Sequence, residues 1–196
     1  MTSFNMVAQC PESTVVAEYT PSAARACSYQ SEADLEKEFI RQLCSQGYDH
    51  LPIRREADLI DNLRRQLELV NGYAFTDSEW RAFFRQHLAN ANEGIVEKTR
   101  RIQVEGVVNL IREDGTTKNI TLLDKKNVHN NRLQVINQYE EGAGAHAARY
   151  DVTVLVNGFP LVHVELKRRG VAIREAFNQI RRYQRDSFWA ASGLYE

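Results

Sequence analysis

Asp151, Glu165 and Lys167 are the side chains of this sequence best suited to chemistry: two carboxylates and an ammonium bracketing a run, Arg149 to Arg169, that is otherwise mostly apolar. Two facing carboxylates repel one another, and such a pair is retained chiefly where a divalent cation sits between them. Hard oxygen ligands with room for water suit Mg²⁺. A neighbouring ammonium can orient or activate an attacking water, or stabilise charge developing on a phosphate. The set is the minimal equipment for metal-assisted cleavage of a phosphodiester. The same residues also suit a strand that opens on Asp and ends on a solvated Glu/Lys pair, and a D…ExK spacing alone does not separate the two readings.

Their geometry depends on a predicted β-hairpin. Tyr150, Val152, Val154 and Val156 alternate with Asp151, Thr153 and Leu155, which is the period of a strand. Asn157-Gly158 supplies residues that tolerate positive φ at a tight turn. On the return strand Leu161, His163, Glu165 and Lys167 share one face, and Val162, Val164 and Leu166 the other. Whether Asp151 faces Glu165 is a matter of parity, because a shift of one residue turns every side chain over. An odd loop or a bulge brings the carboxylates together. A loop of two or four residues separates them.

A basic segment follows. Ile173, Ala176, Phe177 and Ile180 fall at helical spacing, and Gln179 and Tyr183 stack four residues apart beside that stripe. Lys167, Arg168, Arg169, Arg174, Arg181, Arg182 and Arg185 crowd this region against only Glu165 and Glu175, although the chain as a whole carries a net charge of -1. Positive charge concentrated beside the carboxylates is the footprint expected for a polyanion such as DNA. A solvated amphipathic helix accounts for the arginines equally well.

The segments Arg149 to Gly158 and Pro160 to Tyr183 closely resemble the amino-terminal nuclease domain of the restriction (R) subunit of type I restriction endonucleases, within the PD-(D/E)xK superfamily. More weakly, the likeness extends from about residue 30 through Asp124-Lys-Lys-Asn127. It implies a restriction-endonuclease-like α/β fold, with a mixed β-sheet flanked by helices and truncated before its last core strand. It implies Asp151 and Glu165 as metal ligands for Mg²⁺ and Lys167 as their catalytic partner. Gln179 and Tyr183 match the family's QxxxY element along the DNA backbone, with Arg182 and Arg168 as further DNA contacts. A glutamate of the first helix often assists metal binding in the superfamily. Glu36 is the candidate, with Glu32 competing. Tyr150 stands where the superfamily's name has proline.

The likeness further implies cleavage of unmodified double-stranded DNA after ATP-driven translocation, with methylation and specificity subunits as partners. ATP would enter only through motor domains outside this chain, since no Gly-x-x-x-x-Gly-Lys-Ser/Thr loop occurs here. Two other readings stay open: a docking or DNA-gripping module that does not cut, and an α/β domain whose site has decayed.

At 196 residues, 43% hydrophobic and 26% charged, the chain suits one globular domain. Cys10, Cys27 and Cys44 show no paired spacing, so free thiols in a reducing cytoplasm are expected rather than disulfides or zinc. The histidines are scattered; His163 is read as packed rather than as a ligand. No apolar stretch reaches the length of a membrane span.

Residues 1 to 29 read as a loosely held arm and 30 to 196 as the nuclease domain, with a helical insertion at about 56 to 92. Ser31 with Asp34 opens a first helix that Gly47 stops. A second helix spans about Ala57 to Leu69, and Thr76 with Glu79 forms a capping box for a third carrying Trp80, Phe83, Phe84 and Leu88. Val104 to Ile111 and Asn119 to Leu123 read as strands joined by a turn. Arg132 to Tyr139 is another alternating run, and Glu140 to Ala148 reads as a flexible connector into the hairpin.

Overall fold

The computed structural model describes residues 3–9, 15–20, 31–141, 148–168 and 173–186. Its centre is a four-stranded mixed sheet in the order β3 (Asp49–His50), β6 (Leu133–Glu141), β7 (Ala148–Val156), β8 (Phe159–Val164), with β3 parallel to β6 and the other pairs antiparallel. Each face is covered by one helix, α1 (Glu32–Ser45) or α2 (Glu56–Asn71). Consecutive residues of β6 show the alternation. Val135 and, on the next strand, Val152 meet Ile40 of α1, whereas Ile136 and Leu155 meet Leu59 of α2. Both faces are therefore apolar, which is why β7 reads almost without polar breaks.

Local sequence accounts for the helix ends. The Ser31 hydroxyl accepts from the Asp34 backbone N–H at 3.1 Å, and Gly72 closes α2 in the left-handed region at φ 54°. The capping box of α3 (Asp77–Phe83) is complete: the Glu79 N–H donates to the Thr76 hydroxyl, and the Thr76 N–H donates to the Glu79 carboxylate. Loss of that cap in Thr76→Ala is expected to lower unfolding free energy by about 1 kcal/mol, read as a lower denaturant midpoint. Trp80, Phe83 and Leu88 enter a core shared with Leu63, Leu67 and Phe159, as their spacing predicted. The stretch read as an insertion thus includes α2, one of the two helices that roof the sheet.

Two regions depart from the sequence reading. The arm carries paired antiparallel strands, β1 (Ser3–Gln9) and β2 (Val15–Thr20). Val104 lies in a helical turn, not a strand. α4 (Ile95–Arg100) runs on as a π-helical turn through Glu105, Gly106 at φ 71° stops it, and β4 (Val107–Ile111) then pairs with β5 (Thr117–Thr121). The apolar content of 102–111 matches both periods, so pattern alone could not place the boundary.

The β7–β8 turn is tightly constrained. Asn157 and Gly158 adopt φ 52° and 85°, the two left-handed residues that a tight hairpin needs. Asn157 is fully buried; its amide donates to the Leu122 carbonyl and the Asn131 side chain, and its side-chain oxygen accepts from the Arg132 N–H at 2.8 Å. Gly158 lies against the α2 backbone at Leu63. Helix α5 (Ile173–Asp186) carries Arg174, Arg181, Arg182 and Arg185 of the basic segment.

Candidate active site

The turn contains two residues, an even number that would by itself separate the carboxylates. A bulge restores the parity. Val156 pairs with Phe159 and Leu155 with Pro160, but Val154 pairs with Val162, so Leu161 is the extra residue. From there Thr153 faces His163 and Val152 faces Val164; continued one pair beyond β8, that register sets Asp151 opposite Glu165, and the two side chains lie within hydrogen-bonding range. The signal was present in Pro160, which lacks a ladder donor and within a strand marks an edge or a bulge; its exact effect on register was not readable.

Asp151, Glu165 and Lys167 are brought together. An Asp151 Oδ2 accepts the Leu166 backbone N–H at 2.9 Å, and the Lys167 ammonium meets Glu165 Oε1 at 2.5 Å. Glu165 is only 4% exposed at its side chain. Burial is the main reason its proton affinity is raised; Lys167 opposes the rise, while Asp151 adds to it by charge and at hydrogen-bonding range. Burial pulls Lys167 down, yet Glu165, Asp151 and Glu32 together outweigh it and hold the amine above its ordinary value. Lys167 is thus an ammonium at neutral pH.

Beneath the triplet the hairpin is aromatic. Tyr150 stacks on His163 with centroids 4.5 Å apart, and the His163 Nδ1 meets the Thr153 hydroxyl at 3.0 Å. Burial pushes His163 down to about 4, so the imidazole is neutral at physiological pH and behaves as packing.

The other sequence candidates are placed as follows. Glu36, half-buried on α1, accepts from the side-chain amides of Asn137 at 2.6 Å and of Gln138. Glu32 accepts from the Arg168 backbone N–H at 3.2 Å and lies close enough to influence Lys167. The Arg168 side chain is exposed. On α5, Gln179 is half-buried and Arg182 exposed, while the side chain of Tyr183 lies outside the described residues. Gln138 escaped the sequence reading altogether. Its backbone is left-handed at φ 52°, a conformation uncommon for glutamine and carried by no local signal.

No group of three or more His, Cys, Asp or Glu side chains is gathered as a metal cage among the described residues. The donor set that is gathered, two carboxylates, fits Mg²⁺, which dehydrates reluctantly and is commonly held by one or two carboxylates with water and phosphate oxygens completing its shell. Burial first, and Asp151 after it, raise the proton affinity of Glu165, and a cation between the carboxylates would relieve the part that comes from Asp151.

A mixed sheet roofed by helices, with acidic residues facing across its β7–β8 hairpin and a lysine two residues on, is the arrangement of a restriction-endonuclease-like α/β domain. The chain belongs to the family described as the type I restriction enzyme R protein N terminus, whose profile matches residues 29–196. It is 46% identical over 191 residues to the type I restriction enzyme EcoprrI endonuclease subunit of Escherichia coli, covering 97% of this chain and 61% of that protein. It is 40% identical over 173 residues to the SsaAORF53P endonuclease subunit of Staphylococcus saprophyticus, and 39% over 175 residues to the SauMSSORF170P subunit of Staphylococcus aureus. Those matches cover 85% and 86% of this chain but 18% of either relative. The chain therefore spans between about a fifth and three-fifths of the relatives it matches. No helix among the described residues is long and apolar enough to cross a membrane.

Proposed function

We propose that this chain is the Mg²⁺-dependent endonuclease domain of a type I restriction enzyme R subunit. It would cut unmodified double-stranded DNA after translocation driven by an ATP-fuelled motor outside the chain, in complex with methylation and specificity subunits. The observation that carries the reading is the bulge at Leu161, which turns an even loop into an odd one and sets Asp151 opposite Glu165. A structural hairpin has no need to bring two acids together.

In this reading Asp151 and Glu165 hold the metal. When bound, Mg²⁺ supplies Lewis acidity toward the phosphate and eases deprotonation of water. The Leu166 N–H orients the Asp151 carboxylate from one side. Lys167, held against Glu165, would stabilise charge developing on the phosphate or help activate the attacking water. Gln179, Tyr183, Arg182 and Arg168 would hold the DNA backbone, a contact that weakens with added salt.

Metal addition tests the reading on the chain itself. The folded state holds the Glu165 proton more tightly than the unfolded state does, so the carboxylate pair costs stability as pH rises through the raised pKa. Mg²⁺ at ten to thirty times its Kd is expected to add about 1–2 kcal/mol at neutral pH. The gain should shrink as pH falls through the titration of Glu165. Equal Mg²⁺ binding by Asp151→Ala, measured by calorimetry, would remove the pair from the site. A salt-sensitive gel shift with no metal-dependent nicking in the assembled enzyme would favour the non-cleaving docking module.

A further inference from the structure

α1 is seated on the sheet in two different ways. Phe39, Ile40 and Leu43 place its later turns in the apolar layer with Val135, Val152 and Val164. Its first two turns reach the sheet through acids. Glu32 and Glu36 stand one helical turn apart and hence on one face. Glu36 takes the Asn137 and Gln138 amides, and the Asn137 side-chain oxygen in turn meets His50 Nε2 on β3 at 2.9 Å. Glu32 takes the Arg168 N–H, one residue past Lys167.

The partners of Glu36 lie at a particular place in the ladder. Asn137 pairs with Val152 and Tyr139 with Tyr150, which leaves Gln138 opposite Asp151. There the left-handed turn of Gln138 interrupts regular pairing, and Asp151 directs its carboxylate across the hairpin to the Leu166 N–H. A left-handed backbone at a residue other than glycine costs on the order of 1 kcal/mol and persists only where its surroundings impose it. The Glu36 carboxylate is in contact with Gln138 and can impose it, by holding the Gln138 amide on the α1 side.

We propose that the first turns of α1 brace the candidate site at two points: Glu36 pins the β6 irregularity beside Asp151, Glu32 pins the backbone just beyond Lys167, and the two together set the separation between carboxylates and ammonium. Both are positioning residues, and Glu36 acts through Gln138 instead of on the metal. The inference rests on Asp151, Glu165 and Lys167 being the working site.

Its test reads backbone amides of the ¹⁵N-labelled full chain without metal, so it does not depend on cleavage. Glu36→Ala and Gln138→Ala should each speed hydrogen exchange at the Leu166 amide about tenfold, and Glu32→Ala should do so at Arg168. Ile136 and Thr153, in the middle of the sheet, should be unchanged. Glu36→Gln keeps one acceptor oxygen and should restore part of the Leu166 protection. Unchanged Leu166 exchange in both Glu36→Ala and Gln138→Ala overturns the brace, as does equal acceleration across the sheet. A Glu36→Gln chain that loses Mg²⁺ affinity about tenfold or more while Leu166 stays protected overturns it too, because that is the behaviour of a ligand. Leu166 deprotection in Glu36→Ala, alongside normal DNA cleavage by a Lys167→Ala enzyme, keeps the brace and removes the catalytic reading instead.

Discussion

Lys167→Ala in the full-length subunit, assembled with its partners, is expected to slow DNA cleavage by about 10²–10³-fold while leaving ATP hydrolysis unchanged. In the proposed reading the ammonium, held 2.5 Å from Glu165 Oε1 beside the candidate metal ligands, would stabilise charge developing on the phosphate. Lys167→Arg retains charge but replaces a compact ammonium with a planar fork, and should recover only part of the rate. Asp151→Ala removes a proposed metal ligand and the acceptor of the Leu166 N–H together, so its loss should be at least as large. The measurement is conversion of supercoiled plasmid to linear product, with ATP turnover followed in the same sample. Cleavage at the normal rate in both variants would take these residues out of the reaction.

Gly158→Ala is expected to lower unfolding free energy by about 2–4 kcal/mol, the largest effect anticipated for a single added methyl group. Two costs combine. An L side chain at φ 85° is strained by about 1–2 kcal/mol, and the new Cβ would lie 2.7 Å from the Leu63 Cα, a backbone atom that cannot move aside without moving α2. The turn also sets the hairpin register, so a displaced Gly158 threatens the pairing that brings Asp151 to Glu165. Chemical denaturation measures the stability, and the Leu166 amide shift reports whether Asp151 still reaches it. A loss below about 0.5 kcal/mol, the range of an ordinary surface change, would show that the turn is not clamped against α2.

Much of the scaffold was legible because it is local. Ser31 and Thr76 name helix starts through the donors they satisfy, and Asn157-Gly158 names a tight turn because few other residue pairs adopt its backbone. The spacing of Trp80, Phe83 and Leu88 names a buried face for the same kind of reason. The candidate triplet was legible too, as residue types at either end of one hairpin. The helix-to-strand boundary at Gly106 was not, since the apolar residues before it satisfy both periods.

By itself the sequence determined which side chains could act and that one hairpin would carry them, because capping, turn preference and alternation act over a few residues. Only the tertiary structure decided that they meet. The bulge at Leu161 arises where Pro160 cannot donate and β8 must still pack against both β7 and the α2 layer, and it shifts the register by the single residue on which the pairing of Asp151 with Glu165 depends. The contacts of Glu32 with Arg168 and of Glu36 with Gln138 join residues separated by more than a hundred positions. No local pattern encodes such pairs; they exist because the apolar stripe of α1 has only one face of the sheet to cover.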